Sequence, residues 1–303
     1  MLFRHPLLAV LICALLWGSA FPAIKTVYQH WQHIGINRTL PLIFLFAGIR
    51  FSIAGGSLLL IGKNLKAEIK ATPAPLIIAF ALTQTFIQYI FFYQAIAVSS
   101  ATLSALLVVT GSYWWILLAP LLQKTPWPNR NQWLALLLGS IGVTLAIYRP
   151  GAGSGNPITG TFYMLIASGS GAVALTFFSK IKPTMSAINA TGLSLFTGGL
   201  GLSLIGIPAL SILPQMFPTP VIIATLWLAF VSAAAFTIWN HLSTIFPVNL
   251  LATYRFLIPL CGVFEALLFL RTETPGLGLA LGGPLVIISM ILARRTTTGR
   301  MSH

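Results

Sequence analysis

Pro150-Gly151-Ala152-Gly153-Ser154-Gly155-Asn156-Pro157 stands at the middle of the chain, and what lies on either side of it decides the fold. Five apolar stretches precede this turn-rich segment and five follow it. Each is close to the ~20 residues a helix needs to cross a bilayer core of ~30 Å. The expected spans are Leu7 to Val27, Pro41 to Gly62, Ala74 to Val98, Ala101 to Leu122, Gln132 to Tyr148, Ile158 to Lys180, Ser186 to Ile207, Thr219 to Leu242, Leu250 to Leu270 and Gly276 to Ala293. Between them, Gly, Pro, Ser and Asn clusters such as Arg149 to Pro157 and Pro214 to Pro220 read as loops. Backbone amides in lipid must be satisfied within the span, so each span is expected to be a helix.

Composition agrees. Of 303 residues, 57% are hydrophobic and 7% charged, with three acids and no aspartate; soluble domains carry about 25% charged residues. The net charge of +14 does not point to nucleic acid, because the basic residues punctuate the apolar segments instead of gathering on one surface. It reads as a topology signal. With the N-terminus inside, the cytoplasmic side receives Arg4, Lys63, Lys66, Lys70, Lys124, Arg130, Lys180, Lys182, Arg294, Arg295 and Arg300 of the 17 Lys and Arg. Both termini are therefore expected in the cytoplasm. Arg4 followed by an apolar run and small residues imitates a signal peptide, but the run continues to Val27 and is read as a retained first span.

The two halves also resemble one another. Leu134-Ala135-Leu136 precedes Arg149 as Leu279-Ala280-Leu281 precedes Arg294, and the span before each is interrupted near its middle, at Gly111 and at Pro259. A unit of five helices enters the membrane the opposite way when duplicated. The expected fold is all-α integral membrane, ten transmembrane helices as two inverted five-helix repeats, residues 1–150 and 157–295, with a tail at 296–303. Secondary transporters use this architecture, binding cargo near the midplane between the halves and exposing it to each side in turn.

The stretch Leu16-Trp17-Gly18-Ser19-Ala20-Phe21 with Lys25 beyond it, Arg50-Phe51 in the second span, Gln132-Trp133-Leu134 followed by Gly139 and Gly142, and Pro259 with Glu273 occur in this order along the chain. Taken together they resemble the drug/metabolite transporter superfamily, specifically its ten-helix EamA-type exporters. The first half departs from that pattern, with Thr110 or Gly111 and Lys124 where a proline and a glutamate are expected. The resemblance implies a cavity lined by helices one, three, four, six, eight and nine, the fifth and tenth at the periphery, and export of small metabolites, often amino acids, from the cell (inner) membrane. It places Trp17, Tyr113, Trp239 and Tyr254 around the cavity and Lys25 at the pathway mouth.

Polar residues within spans mark pathways or internal pairs. Glu265 is the only acid within a span, sharing a helical face with Tyr254 and Cys261. Two readings stand: a proton carrier, or a fixed ion pair with Arg50, which counting places at similar depth. Arg255 either snorkels to the cytoplasmic side or greets a carboxylate from inside. Gln84 and Gln88 lie one helical turn apart and suit either an amino-acid head group or interhelical bonding. Asn240 is a gate or binding contact, or a bond between helices. Pro22 and Pro259 are hinge candidates, with Pro120 beside them. Gly48, Ser52 and Gly56, Ala190, Ser194 and Gly198, and Gly278 with Gly282 are expected helix contacts.

Cys13 and Cys261 read as packing residues, and His30 with His33 lacks a third metal ligand. No cofactor is expected, and no enzyme: the spans hold no His/Asp/Glu constellation and the loops no phosphate-cradling motif. The expected partners are a small-molecule substrate, membrane lipids and a proton as coupling ion, with a monomer or homodimer as the unit. The alternatives are an importer, a carrier of nucleotide sugars or cationic drugs, and, from another class, a non-transporting scaffold or receptor.

Overall fold

The structure is a computed structural model that describes residues 6–98, 107–108, 110–147, 157–269 and 277–298. The glycine-rich segment 150–156, Arg149, the start of the fourth span, Arg271, Glu273 and Arg300 lie outside the described residues. Every regular element among the described residues is helical. In chain order they are α1 (Pro6–His33), α2 (Leu40–Ile61), α3 (Leu65–Ala71), α4 (Ala74–Ala81) continuing through a π-helical segment (Leu82–Ile87) into α5 (Gln88–Val98), α6 (Thr110–Gln123), α7 (Arg130–Ile147), α8 (Pro157–Ile181), α9 (Ala187–Ile205), a 3-10 turn (Ile207–Ile212), α10 (Leu213–Met216), α11 (Thr219–Ile245), α12 (Val248–Tyr254), α13 (Leu257–Phe269) and α14 (Leu277–Thr298).

Six of these are long and apolar enough to cross a membrane: α1, α2, the α4–α5 unit, α8, α9 and α11. They are consistent with a membrane protein. The other four expected spans are also helical where anticipated, as α6, α7, the α12–α13 pair and α14, but α6 is described only from Thr110 and the ninth is in two pieces. Two elements depart from the loop expectations. Leu65–Ala71 forms a short helix after Asn64, which adopts the left-handed conformation, and the segment from Pro214 begins inside a single helical turn.

Local chemistry sets several helix starts. Thr39 caps α2 by accepting from the Leu42 amide at 3.4 Å, with Pro41 in the first turn. A reciprocal pair opens α7: Asn129 Oδ1 accepts from the Gln132 amide (2.9 Å) while Gln132 Oε1 accepts from the Asn129 amide (2.8 Å). Two orphan amides are thereby satisfied together. Gln132 also accepts from Asn249 Nδ2 at 3.0 Å, tying α7 to the first turn of α12.

The ninth unit breaks at Arg255–Phe256 and not at Pro259 itself. Proline lacks the amide that would bond four residues back, and its ring crowds that carbonyl. The carbonyl four back from Pro259 is that of Arg255, which instead accepts from the Ile258 amide at 3.1 Å in a tighter turn. By contrast α1 runs on through Pro22 as one helix.

Packing is pairwise. α2 lies along α9, α7 along α14, and α1 against both α11 and α13; α8 contacts α6 and the α4–α5 unit. The α2–α9 contact is made by Gly48, Ser52 and Gly55 meeting Gly192, Phe196, Gly199 and Ser203. Gly56, expected on this face, meets only the Phe196 ring, at 3.7 Å. On α9 the expected Ser194 and Gly198 form a second small face, directed at the π-helical segment. Gly142 closes on Gly282 in the α7–α14 contact. The largest buried cluster gathers Trp115, Trp239, Tyr254 and Phe256 with Cys13 of α1.

Candidate functional site

The π-helical segment rearranges the face on which Gln84 and Gln88 were expected together. Gln84 lies within this segment and Gln88 opens the α-helix that follows, and their two amides face different helices. The widened backbone is held from both sides: Ser170 of α8 donates to the Thr83 carbonyl (2.7 Å), and Gly198 and Gly201 of α9 leave room for Thr85 and Phe86. Gln84 turns into α9 and α11. Its Nε2 donates to Ser194 Oγ (3.3 Å), and its Oε1 accepts from Asn240 Nδ2 (3.0 Å), which also donates to Thr191 Oγ1 (2.9 Å). Thr85 Oγ1 shares a 2.9 Å bond with Ser194. All five residues are buried. Gln84 and Asn240 thus form a polar clasp between helices, while Gln88 lies over Gly171 of α8.

Arg50 and Glu265 are not brought together. α2 packs on α9 and α11, whereas α13 packs on α1 and α7, so equal depth does not make them neighbours. Glu265 lies against α1, where a Cβ on Gly18 would fall 2.9 Å from its Oε2 and from the Gly262 amide. That oxygen has no hydrogen-bond partner. The break at Arg255–Phe256 also interrupts the face expected to align Tyr254 with Cys261 and Glu265.

Arg50 is 4% exposed. Its guanidinium carbon lies 4.4 Å from the Phe51 ring centroid and 5.9 Å from that of Tyr89, and its Nε and Nη1 have no hydrogen-bond partner. The Tyr93 hydroxyl, also buried, has none either. Arg255 is half-buried at the helix break. Its guanidinium occupies the space beside Gly111, where an added Cβ would come within 2.9 Å of Nη1. Gly111 is the residue that marks the middle of the fourth span, and its missing side chain admits this charge. Arg50 and Arg255 are both within electrostatic reach of Tyr89.

A file of aromatic rings runs from Phe51 through Tyr89 to Trp115. Phe51 and Tyr89 are 4.4 Å apart, Tyr89 and Phe236 6.4 Å, Phe236 and Trp17 5.3 Å, Trp17 and Trp239 5.7 Å, and Trp239 and Trp115 6.2 Å. Trp17 and Trp239 are therefore brought together. Tyr254 is buried in the same cluster as Trp115 and Trp239. Tyr113 is directed away, to Ser140 Oγ (2.6 Å) and the Leu136 carbonyl (3.2 Å) of α7. Lys25 is half-buried on α1, and Pro22 is buried there.

Sequence reasoning passed over Tyr89, Tyr93, Phe51 and Phe236. Tyr89 follows Gln88 directly, and in an unbroken α-helix the two point about 100° apart. One signal was available: aromatic residues crowd the same two spans that carry the in-span arginine and the glutamines. A groove of about 600 Å³ at the α1–α2 turn, lined by Ile36, Asn37, Thr39, Ala209 and Gln215, contains none of the expected site residues.

No family model matches the chain, and no curated protein matches it. Twenty-five chains of solved structures do. One of them, a crystal structure of a protein, superposes with a TM-score of 0.72 over 97% of this chain and 98% of its own, at 15% identity. That likeness extends to the fold alone.

Proposed function

We propose that the chain is a secondary transporter of the EamA type within the drug/metabolite transporter superfamily, built from ten spans as two inverted five-helix repeats. It exports amino acids or similar amphipathic metabolites by alternating access across the cell inner membrane, with both termini in the cytoplasm. The observation that carries this reading is the pattern of helix contacts. Count the α4–α5 unit as the third span and α12–α13 as the ninth. Adding five to each partner then converts the first–ninth contact into sixth–fourth, first–eighth into sixth–third, and second–eighth into seventh–third. The second–seventh and fifth–tenth contacts map onto themselves. A half-turn relating two five-helix units yields this pattern, and a bundle without internal symmetry has no reason to.

The same pairing assigns mechanical roles. Second with seventh and fifth with tenth are the contacts that a rocking motion leaves in place, held by small residues at close approach. The aromatic file is built from the first, second, third, fourth and eighth spans, and residues of the sixth and ninth pack with it around Trp115 and Trp239. The third carries the π-helical segment and the ninth carries the break at Arg255–Phe256. Both are interruptions of regular backbone bonding, and such points absorb changes of dihedral angle during closure. Glu265, with an unpartnered oxygen at the first–ninth contact, takes up and releases a proton as that contact opens and closes.

Counterflow in proteoliposomes tests the reading: the purified protein exchanges labelled amino acids, aromatic ones included, down no net gradient. A folded protein that exchanges no metabolite in such a screen overturns transport and favours a scaffold or receptor.

A further inference from the structure

We propose that Arg50, Tyr93, Tyr89 and Arg255 form an anion-recognition site in the transport pathway, and that the preferred cargo is a small aromatic carboxylate without an ammonium group. The inference rests on the transport reading above and, among its amphipathic metabolites, favours carboxylates over amino acids.

The argument begins with an imbalance. A guanidinium removed from water costs several kcal/mol even after relaxation, and a desolvated cation–π contact returns about 2 kcal/mol. Arg50 has two rings beside it, but its Nε and Nη1 donate to nothing. Among the described residues no carboxylate reaches it: Glu68 is engaged by Ser186 and Asn189 at 2.7–3.1 Å, and Glu265 lies over Gly18. The Tyr93 hydroxyl, a third unmatched donor, belongs to the same group of aromatic residues. Unmatched donors with no acceptor call for an acceptor-rich ligand. A carboxylate matches the guanidinium fork in a bidentate manner and carries the opposite charge.

Two further features select the rest of the ligand. Arg255, inserted beside Gly111 at the break in the ninth unit, adds a second positive charge within reach of Tyr89. An ammonium group near these two cations meets repulsion, and no acid among the described residues is placed to offset it. The file from Phe51 through Tyr89, Phe236 and Trp17 to Trp239 begins beside Arg50. It offers ring faces and edges to an aromatic body whose carboxylate is held by Arg50 and Tyr93.

Three probes share one phenylethyl skeleton and differ in the ionic groups it carries: 3-phenylpropionate (carboxylate alone, an anion), phenylalanine (carboxylate and ammonium, a zwitterion) and phenethylamine (ammonium alone, a cation). Binding of each labelled compound to the purified full-length protein is measured in detergent, and counterflow of each in proteoliposomes. The expected order is anion, zwitterion, cation, with at least about tenfold between the extremes, the size of one charge-assisted hydrogen bond. Arg50→Gln and Arg255→Gln are expected to lower anion binding by about tenfold or more. Arg50→Lys retains part of it, keeping the charge and losing the fork. Thermal unfolding supplies the readout that a purely structural arginine would move: Arg50→Gln is expected to melt no lower than the parent, since two ring contacts return less than the burial of a guanidinium without acceptors costs.

Equal binding of the three probes, preference for phenethylamine, or an order unchanged in both glutamine variants overturns the anion site. Counterflow of phenylalanine or phenethylamine without anion preference leaves transport standing and removes this inference. Binding of 3-phenylpropionate that depends on Arg50, with no counterflow of any probe, supports the anion site and removes transport.

Discussion

Gly55 and Gly56 are adjacent on α2, and exchanging each for alanine is expected to move stability in opposite directions. Both substitutions remove the backbone entropy of glycine in a helix, a gain of about 1 kcal/mol. They differ in what the new methyl meets. At Gly55 it falls 2.7 Å from the Gly192 carbonyl and from Phe196 Cα, and against the Phe196 amide, all backbone of α9 that no rotamer change can move. Ordinary contact begins near 3.4 Å, so α9 must retreat by at least about 0.7 Å, and further to clear the Phe196 amide, loosening the neighbouring contacts of Gly48 and Gly199. Overpacking of this kind costs about 1–3 kcal/mol, which exceeds or cancels the helix gain. At Gly56 the methyl meets only the Phe196 ring at 3.7 Å, an ordinary contact, so the gain is retained. Thermal unfolding of the purified variants in detergent reads the difference: Gly55→Ala melts below the parent and Gly56→Ala at or above it. The reverse order would refute the placement of Gly55 against α9 and restore the Gly48, Ser52, Gly56 face.

Three other outcomes follow from the site. Glu265→Gln keeps the size of the group at the Gly18 contact but cannot exchange a proton, so transport by the variant should lose its dependence on pH; a pH profile that matches the parent's removes the proton-carrier role. Asn240→Leu leaves Gln84 Oε1 and Thr191 Oγ1 without their shared donor, and unsatisfied buried groups cost about 1–3 kcal/mol; unfolding at the parent temperature would show the clasp to be dispensable. Pro259→Ala restores an amide able to bond the Arg255 carbonyl, which should extend helix across residues 255–256, raise the melting temperature and slow exchange. Faster or unaltered exchange would remove the break from the transport cycle.

Much of the helical layout was legible because lipid imposes one rule on every span: enough apolar length, with backbone bonds closed locally. Apolar runs bounded by glycine, proline and charge therefore predict most helix positions to within a few residues, from α2 to α11. The break in the ninth unit was legible in principle, since the effect of Pro259 falls four residues earlier, at Arg255. The π-helical segment was not. Leu82-Thr83-Gln84-Thr85-Phe86-Ile87 has the composition of an ordinary apolar helix, and what widens it is external: a serine from α8 and a pair of glycines from α9.

Two expected contacts, Arg50 with Glu265 and Gly56 with the seventh span, differ for one geometric reason. Counting residues along a span fixes depth but leaves azimuth free, and neighbours are decided by azimuth. Arg50 and Glu265 share a depth by counting and face different helices; Gly55 and Gly56 differ by about 100° around α2, and the helix contact uses the first. The expectation that Arg50 and Glu265 pair also assumed that charges in a bundle must balance within the protein. That holds for a structural bundle, in which an unpaired ion is a standing penalty. In a carrier the counter-ion can arrive with the cargo, and a guanidinium left facing aromatic rings then supplies differential affinity between loaded and empty states, without which a substrate cannot shift the access equilibrium.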